Sequence, residues 1–133
     1  MGLIYYDQKK YKLSIQSISR LILQKDFLSL SIQFQLKILI SEIIIRYELK
    51  QTDLIEKKIT FIRQKYKRTL VGNIRDNEIL LIIEKLIYCN NIYTDTKLQV
   101  EIEKVKSKTS VKDAENTDVI NYNEWLNNIY KTK

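Results

Sequence analysis

The chain has 133 residues, 44% hydrophobic and 29% charged, which gives one globular domain with a core and excludes a disordered chain. Proline is absent and glycine occurs twice, so a turn-rich sheet protein is excluded in favour of long helices. The formal charge is +7; histidine is absent and Cys89 stands alone, which excludes an internal disulfide and a thiolate or imidazole metal cage.

The opening MGLIYYDQKK lacks a basic stretch leading into an apolar run, so it does not read as a secretory signal. With a single reduced cysteine, a cytoplasmic setting is expected. Leu3 to Asp7 reads as the end of a helix and Gln8 to Lys10 as a tight turn. Tyr11 to Gln24 is the next helix, with Leu13, Ile15, Ile18, Leu21 and Ile22 at helical spacing. Lys25 to Leu28 connects it to a long helix, Ser29 to Leu49, which is apolar around most of its circumference and therefore buried on several sides. Its richest run, Ile38 to Ile45, contains Glu42 and is too short to span a bilayer, so no membrane is expected. After a turn at Gln51 and Thr52, Asp53 is expected to cap a helix to about Leu70, with Glu56 completing an approximate capping box. Ile55, Ile59, Ile62, Tyr66 and Leu70 form its core stripe, and Gly72 stops it.

Asp76 or Asn77 is expected to open a helix through Leu80, Ile83, Leu86 and Ile87 to about Asn90, and Asn90 and Asn91 turn the chain. Asp95 opens a helix carrying Leu98, Ile102 and Val105. Lys106 to Thr117 reads as a mobile loop. A last helix, roughly Asp118 to Tyr130, carries Tyr122, Trp125, Leu126 and Ile129 on one stripe.

A period runs through these elements. Tyr6, Tyr47 and Tyr88 are equally spaced, about 40 residues apart, as in stacked helical repeats. Tyr11, Thr52 and Tyr93 follow at the same offset, as do Ile18, Ile59 and Val100. The three tyrosines are expected to wedge paired helices together just before each turn. The expected fold class is an all-α, right-handed solenoid of antiparallel helix pairs with a C-terminal capping helix. It divides into a partial repeat at 1–25, repeats at 26–72 and 73–108, and a capping helix at 117–131.

Three segments carry a resemblance: YYDQKKYKLSIQSISRLI (Tyr5 to Ile22), FQLKILISEIIIRYELKQTDLIEKKI (Phe34 to Ile59) and DVINYNEWLNNIY (Asp118 to Tyr130). The chain resembles tetratricopeptide-repeat-like helical proteins, in particular the C-terminal end of long helical-repeat proteins of Bacteroidetes. It departs from that pattern where Lys9 and Lys50 replace the turn glycine, and where Ile44 and Ile55 fill positions that take a small residue. Ser14 keeps the small residue. The resemblance implies a scaffold that docks a peptide or helix, with no cofactor. The incomplete first pair implies a piece of a longer array, able to self-associate through an open N-terminal face.

In such an array the first helix of each pair lines a groove. On the long helix this predicts Lys37, Ser41, Ile45 and Glu48, and the repeat offset carries them to Glu78, Ile82, Leu86 and Cys89. A surface of this mixed character suits an amphipathic helix or extended peptide. The competing expectation is that Ile45, Ile82 and Leu86 are core. A second candidate is the basic face of Lys57, Phe61, Lys65 and Arg68, with Lys58, Arg63 and Lys67 beside it, which has the cations and ring that a polyanion-binding surface needs. The competing expectation there is a solvated outer face, and nucleic acid is the less favoured partner because no recognition-helix signature accompanies it. Trp125 is expected to seal the open end of the array. Asp113, Glu115 and Asp118 lack the spacing of a calcium loop. Cys89 has no histidine base, and no phosphate loop or nucleophile motif occurs, so an enzyme is not expected.

Overall fold

The computed structural model describes residues 10–89, 91–108 and 122–129. Helix is their only regular structure: α1 (Tyr11–Leu23), a 3₁₀ turn (Lys25–Ser29), α2 (Ile32–Glu48), α3 (Thr52–Lys65), α4 (Lys67–Val71), α5 (Ile74–Ile87), α6 (Thr96–Lys108) and α7 (Tyr122–Ile129). The all-α expectation holds. The helix end at Leu3 to Asp7, most of the turn after it, and Tyr6 lie outside the described residues. So does the expected loop beyond Lys108; its first residues, from Lys106, belong to α6.

α2 is the centre of the packing. Every residue from Gln35 to Ile45 is buried, and α1, α3 and α5 all pack on it. Each isoleucine removed from water contributes about 1.5–3 kcal/mol. The helix starts later than Ser29, because Ser31 caps it: the Ser31 Oγ accepts the Phe34 N–H at 3.2 Å. Ser29 instead closes the preceding turn by donating to the Asp26 carbonyl at 2.6 Å, and Phe27 anchors that turn in the core.

The turn from α2 to α3 is a Schellman motif. The Lys50 N–H donates to the Tyr47 carbonyl and the Gln51 N–H to the Arg46 carbonyl, both at 3.0 Å. That geometry needs a left-handed residue, and Lys50 supplies it with φ 61°. The residue that stands in place of a turn glycine thus adopts a glycine's conformation. Gln51 completes the motif and also precedes α3, so no residue is left between them to act as a side-chain cap. Asp53 therefore sits inside the first turn, where it favours the helix dipole, and Glu56 reaches the Tyr88 hydroxyl in place of a capping box.

The expected helix from Asp53 to Leu70 is broken at Tyr66, where φ −109° and ψ 24° separate α3 from α4. The Tyr66 side chain is buried and donates its hydroxyl to Gln35 Oε1 at 3.0 Å, and Gln35 in turn donates to the carbonyls of Leu28 and Leu30. Gly72 ends α4 as expected, without a left-handed φ. α5 starts at Ile74, ahead of Asp76, so Asp76 is buried within the first turn and is not a cap. Asp95 does cap α6, accepting the Leu98 N–H at 3.1 Å.

The period holds for helix starts at Tyr11 and Thr52 but not at Tyr93, which lies in a turn before α6. Asn91 builds that turn: its Oδ1 takes the Tyr93 N–H at 2.9 Å and its carbonyl takes those of Thr94 and Asp95. Tyr88 is exposed and wedges nothing, whereas Tyr47 is half-buried against Trp125. Ion pairs tie neighbouring helices. Arg46 and Lys58 share the buried Glu42 between α2 and α3, Arg63 meets Glu84 between α3 and α5, and Lys85 meets Glu101 between α5 and α6. Among the described residues no helix is long and apolar enough to cross a membrane.

Candidate functional site: the inner face of α2 and α5

Lys37, Ser41, Ile45 and Glu48 fall on one stripe of α2 because three- and four-residue steps return to the same helical face. The structure does not leave that stripe as an open groove. Lys37, Ser41 and Ile45 are buried, as are Ile82 and Leu86 on α5, and α2 packs directly on α5. The core expectation for Ile45, Ile82 and Leu86 is the one that fits. Ser41 is satisfied locally, donating to the Lys37 carbonyl at 2.9 Å. Glu78 and Cys89 are half-buried.

The two polar ends of the stripe hold the C-terminal helix. The Tyr122 hydroxyl donates to Asp76 Oδ1 at 2.9 Å, and Lys37 Nζ donates to the same oxygen at 2.8 Å. Lys37 and Arg75 also face the Tyr122 ring, 5.6 and 4.9 Å from its centroid. One turn along α7, the Trp125 Nε1–H donates to Glu48 Oε1 at 2.9 Å. Its ring meets Tyr47 edge-on, with centroids 5.8 Å apart. Tyr122, Trp125, Leu126 and Ile129 are all buried. Trp125 is the core plug that was expected, but its partners lie back on α2. α7 therefore packs against α6 and also reaches back to α2.

The electrostatics of this seat are those of a low-dielectric interior. The Asp76 side chain is 1% exposed and that of Lys37 10%, and Asp76 Oδ2 is buried without a hydrogen-bond partner. Burial raises the Tyr47 phenol above its usual pKa, with the Glu48 carboxylate and then Cys89 adding to the effect.

The basic face is only partly assembled. Lys57, Phe61, Lys65 and Arg68 are all exposed, and Lys65 Nζ lies 5.5 Å from the Phe61 centroid and 5.8 Å from that of Tyr66. Arg68, however, belongs to α4, beyond the break at Tyr66, so it does not continue the α3 stripe. Lys58 and Arg63 turn away to Glu42 and Glu84.

Asp76, Arg75 and Tyr47 were not among the residues predicted for a site. A signal for Asp76 was present: it precedes Ile79 and Ile83 at core spacing, and an acid on an apolar stripe needs a cation or donor. Among the described residues no three His, Cys, Asp or Glu side chains gather as metal ligands would. No family model matches the chain, and neither does a curated protein or a solved structure.

Proposed function

We propose that this chain is a non-catalytic docking module: a right-handed, tetratricopeptide-repeat-like solenoid segment whose inner face receives an amphipathic helix of another protein. One observation carries the reading. The stripe of α2 residues that sequence alone placed in a groove grips a helix at both of its polar ends, Lys37 with Asp76 at one and Glu48 at the other. An acid–base enzyme has less support, since Glu42, Asp76 and Glu84 are each engaged in ion pairs. The test is a display selection of helical peptides against the full chain, with binders mapped by amide shifts. Helices that perturb α2 and α5 are expected; a selection that yields binders only elsewhere, or none, refutes the proposal.

A second reading has its own support. Among the described residues Lys57 and Lys65 make no ion pair, while Lys58 and Arg63 beside them do. With the exposed Phe61 ring between them, they would suit a polyanion.

A further inference from the structure

A docking face selects its helix by the polar groups it offers. The seat does so through the handles it uses. On α7 a hydroxyl-bearing ring enters at Asp76, and an indole enters one turn later at Glu48. A helix that merely closed the array would have no need to reach α2, yet Trp125 lies against both Tyr47 and Glu48 of that helix. The fit is also incomplete. Asp76 is almost fully buried, Tyr122 and Lys37 share its Oδ1, and its Oδ2 has no hydrogen-bond partner. Such an atom is costly to leave unpaired in an apolar interior, so the seat can hold a ligand with one more donor than α7 offers.

Resting on the docking reading above, we propose that the inner face of α2 and α5 recognises a partner helix bearing a tyrosine and, one turn on, a tryptophan, and that α7 is the chain's own copy of that ligand. Tethering gives α7 an effective concentration on the order of millimolar. A partner helix therefore displaces it only by binding more tightly, and a donor placed beside its tyrosine, aimed at Asp76 Oδ2, supplies that margin.

The test uses the full chain and a fluorescent peptide of residues 118–133, followed by anisotropy. Two chains are compared: the native one, and one carrying Tyr122→Phe with Trp125→Phe, which keeps both rings but removes both handles. Each of these hydrogen bonds runs to a carboxylate, and its loss weakens the internal competitor by roughly 10- to 100-fold. The peptide is therefore expected to bind the variant at least roughly 100-fold more tightly than the native chain, and a peptide with Phe at both positions loses that advantage. Circular dichroism verifies the fold. Should the double variant be unfolded, Tyr122→Phe alone gives the same comparison with the single-bond factor. Equal affinities for native and variant chains, or equal binding of the Phe peptide, overturn the proposal. If display-selected helices bind α2 and α5 while this peptide does not, the partner class falls and the docking reading stands; if neither binds, both fall. A concentration-dependent dimer of the native chain in sedimentation, lost in the variant, makes a second copy the occupant and likewise overturns the assignment.

Discussion

Replacing Lys37 by methionine separates the charge of the buried pair from its packing. Methionine keeps most of the apolar stem and removes the ammonium. Asp76 is then left 1% exposed, with the Tyr122 hydroxyl on Oδ1 and nothing on Oδ2. Removing one partner of a buried ion pair costs about 3–5 kcal/mol, against a total of about 5–15 kcal/mol for a domain. The loss is the desolvation of a carboxylate that has nowhere else to turn. A companion chain with Lys37→Met, Asp76→Leu and Tyr122→Phe removes both charges and the hydroxyl together, and is expected to recover to within about 1–2 kcal/mol of the native chain or above it. Urea unfolding is followed by circular dichroism and by the fluorescence of Trp125, which is the single tryptophan, is buried, and sits on α7. The two probes should trace one transition in the native protein. A loss below about 1 kcal/mol for Lys37→Met, or a triple variant as unstable as the single one, refutes this account of the seat.

Three further outcomes are expected. Lys50→Gly should stabilise the chain by about 0.5–1 kcal/mol, because the left-handed cost of a side chain slightly exceeds the entropy glycine adds; a thermal melt no higher than that of the native chain counts against the strain. Burial holds the phenols of Tyr11, Tyr47 and Tyr66 above the usual value of 10.0, with Glu48 adding to the first two. The unfolded chain then releases these protons first, so stability is full below pH 10.0 and falls as pH rises above it. Tyr47→Phe should flatten that decline in unfolding curves measured across the alkaline range. Finally, Lys57→Glu with Lys65→Glu tests the polyanion reading: on heparin the slope of log affinity against log salt should shrink by about 2, and an unchanged slope rules the surface out.

Much of the fold could be read along the chain wherever a helix's own period decided burial. Ile55, Ile59, Ile62, Tyr66 and Leu70 all lie in the core, as do Tyr122, Trp125, Leu126 and Ile129. Where a distant partner decided the outcome, local pattern failed. The spacing of Ile62, Tyr66 and Leu70 fits one straight helix, and the break falls at the residue whose hydroxyl reaches Gln35 on another helix. Asp53 and Glu56 satisfy a capping box on paper, but a Schellman turn ending at Gln51 leaves it no room. The site was half legible. Lys37 and Glu48 share the predicted stripe of α2, but their polarity points to an exposed surface, whereas the tertiary arrangement sets Lys37 beside the Tyr122 ring and Glu48 on the Trp125 indole.

The unbroken burial of α2 also has a meaning in time. Asp76 and Trp125, which engage its two ends, come far later in the sequence. A chain emerging from its N-terminus therefore carries the run from Ile38 to Ile45 without the cover of α3 and α5 until those helices have followed. A β-branched run of this kind is also the sort that pairs strand to strand between chains. Lys37 and Glu42, which cost so much to enclose, flank and interrupt it. Charges in those places act as gatekeepers against intermolecular pairing, so the polar groups that burden the finished core protect the nascent one.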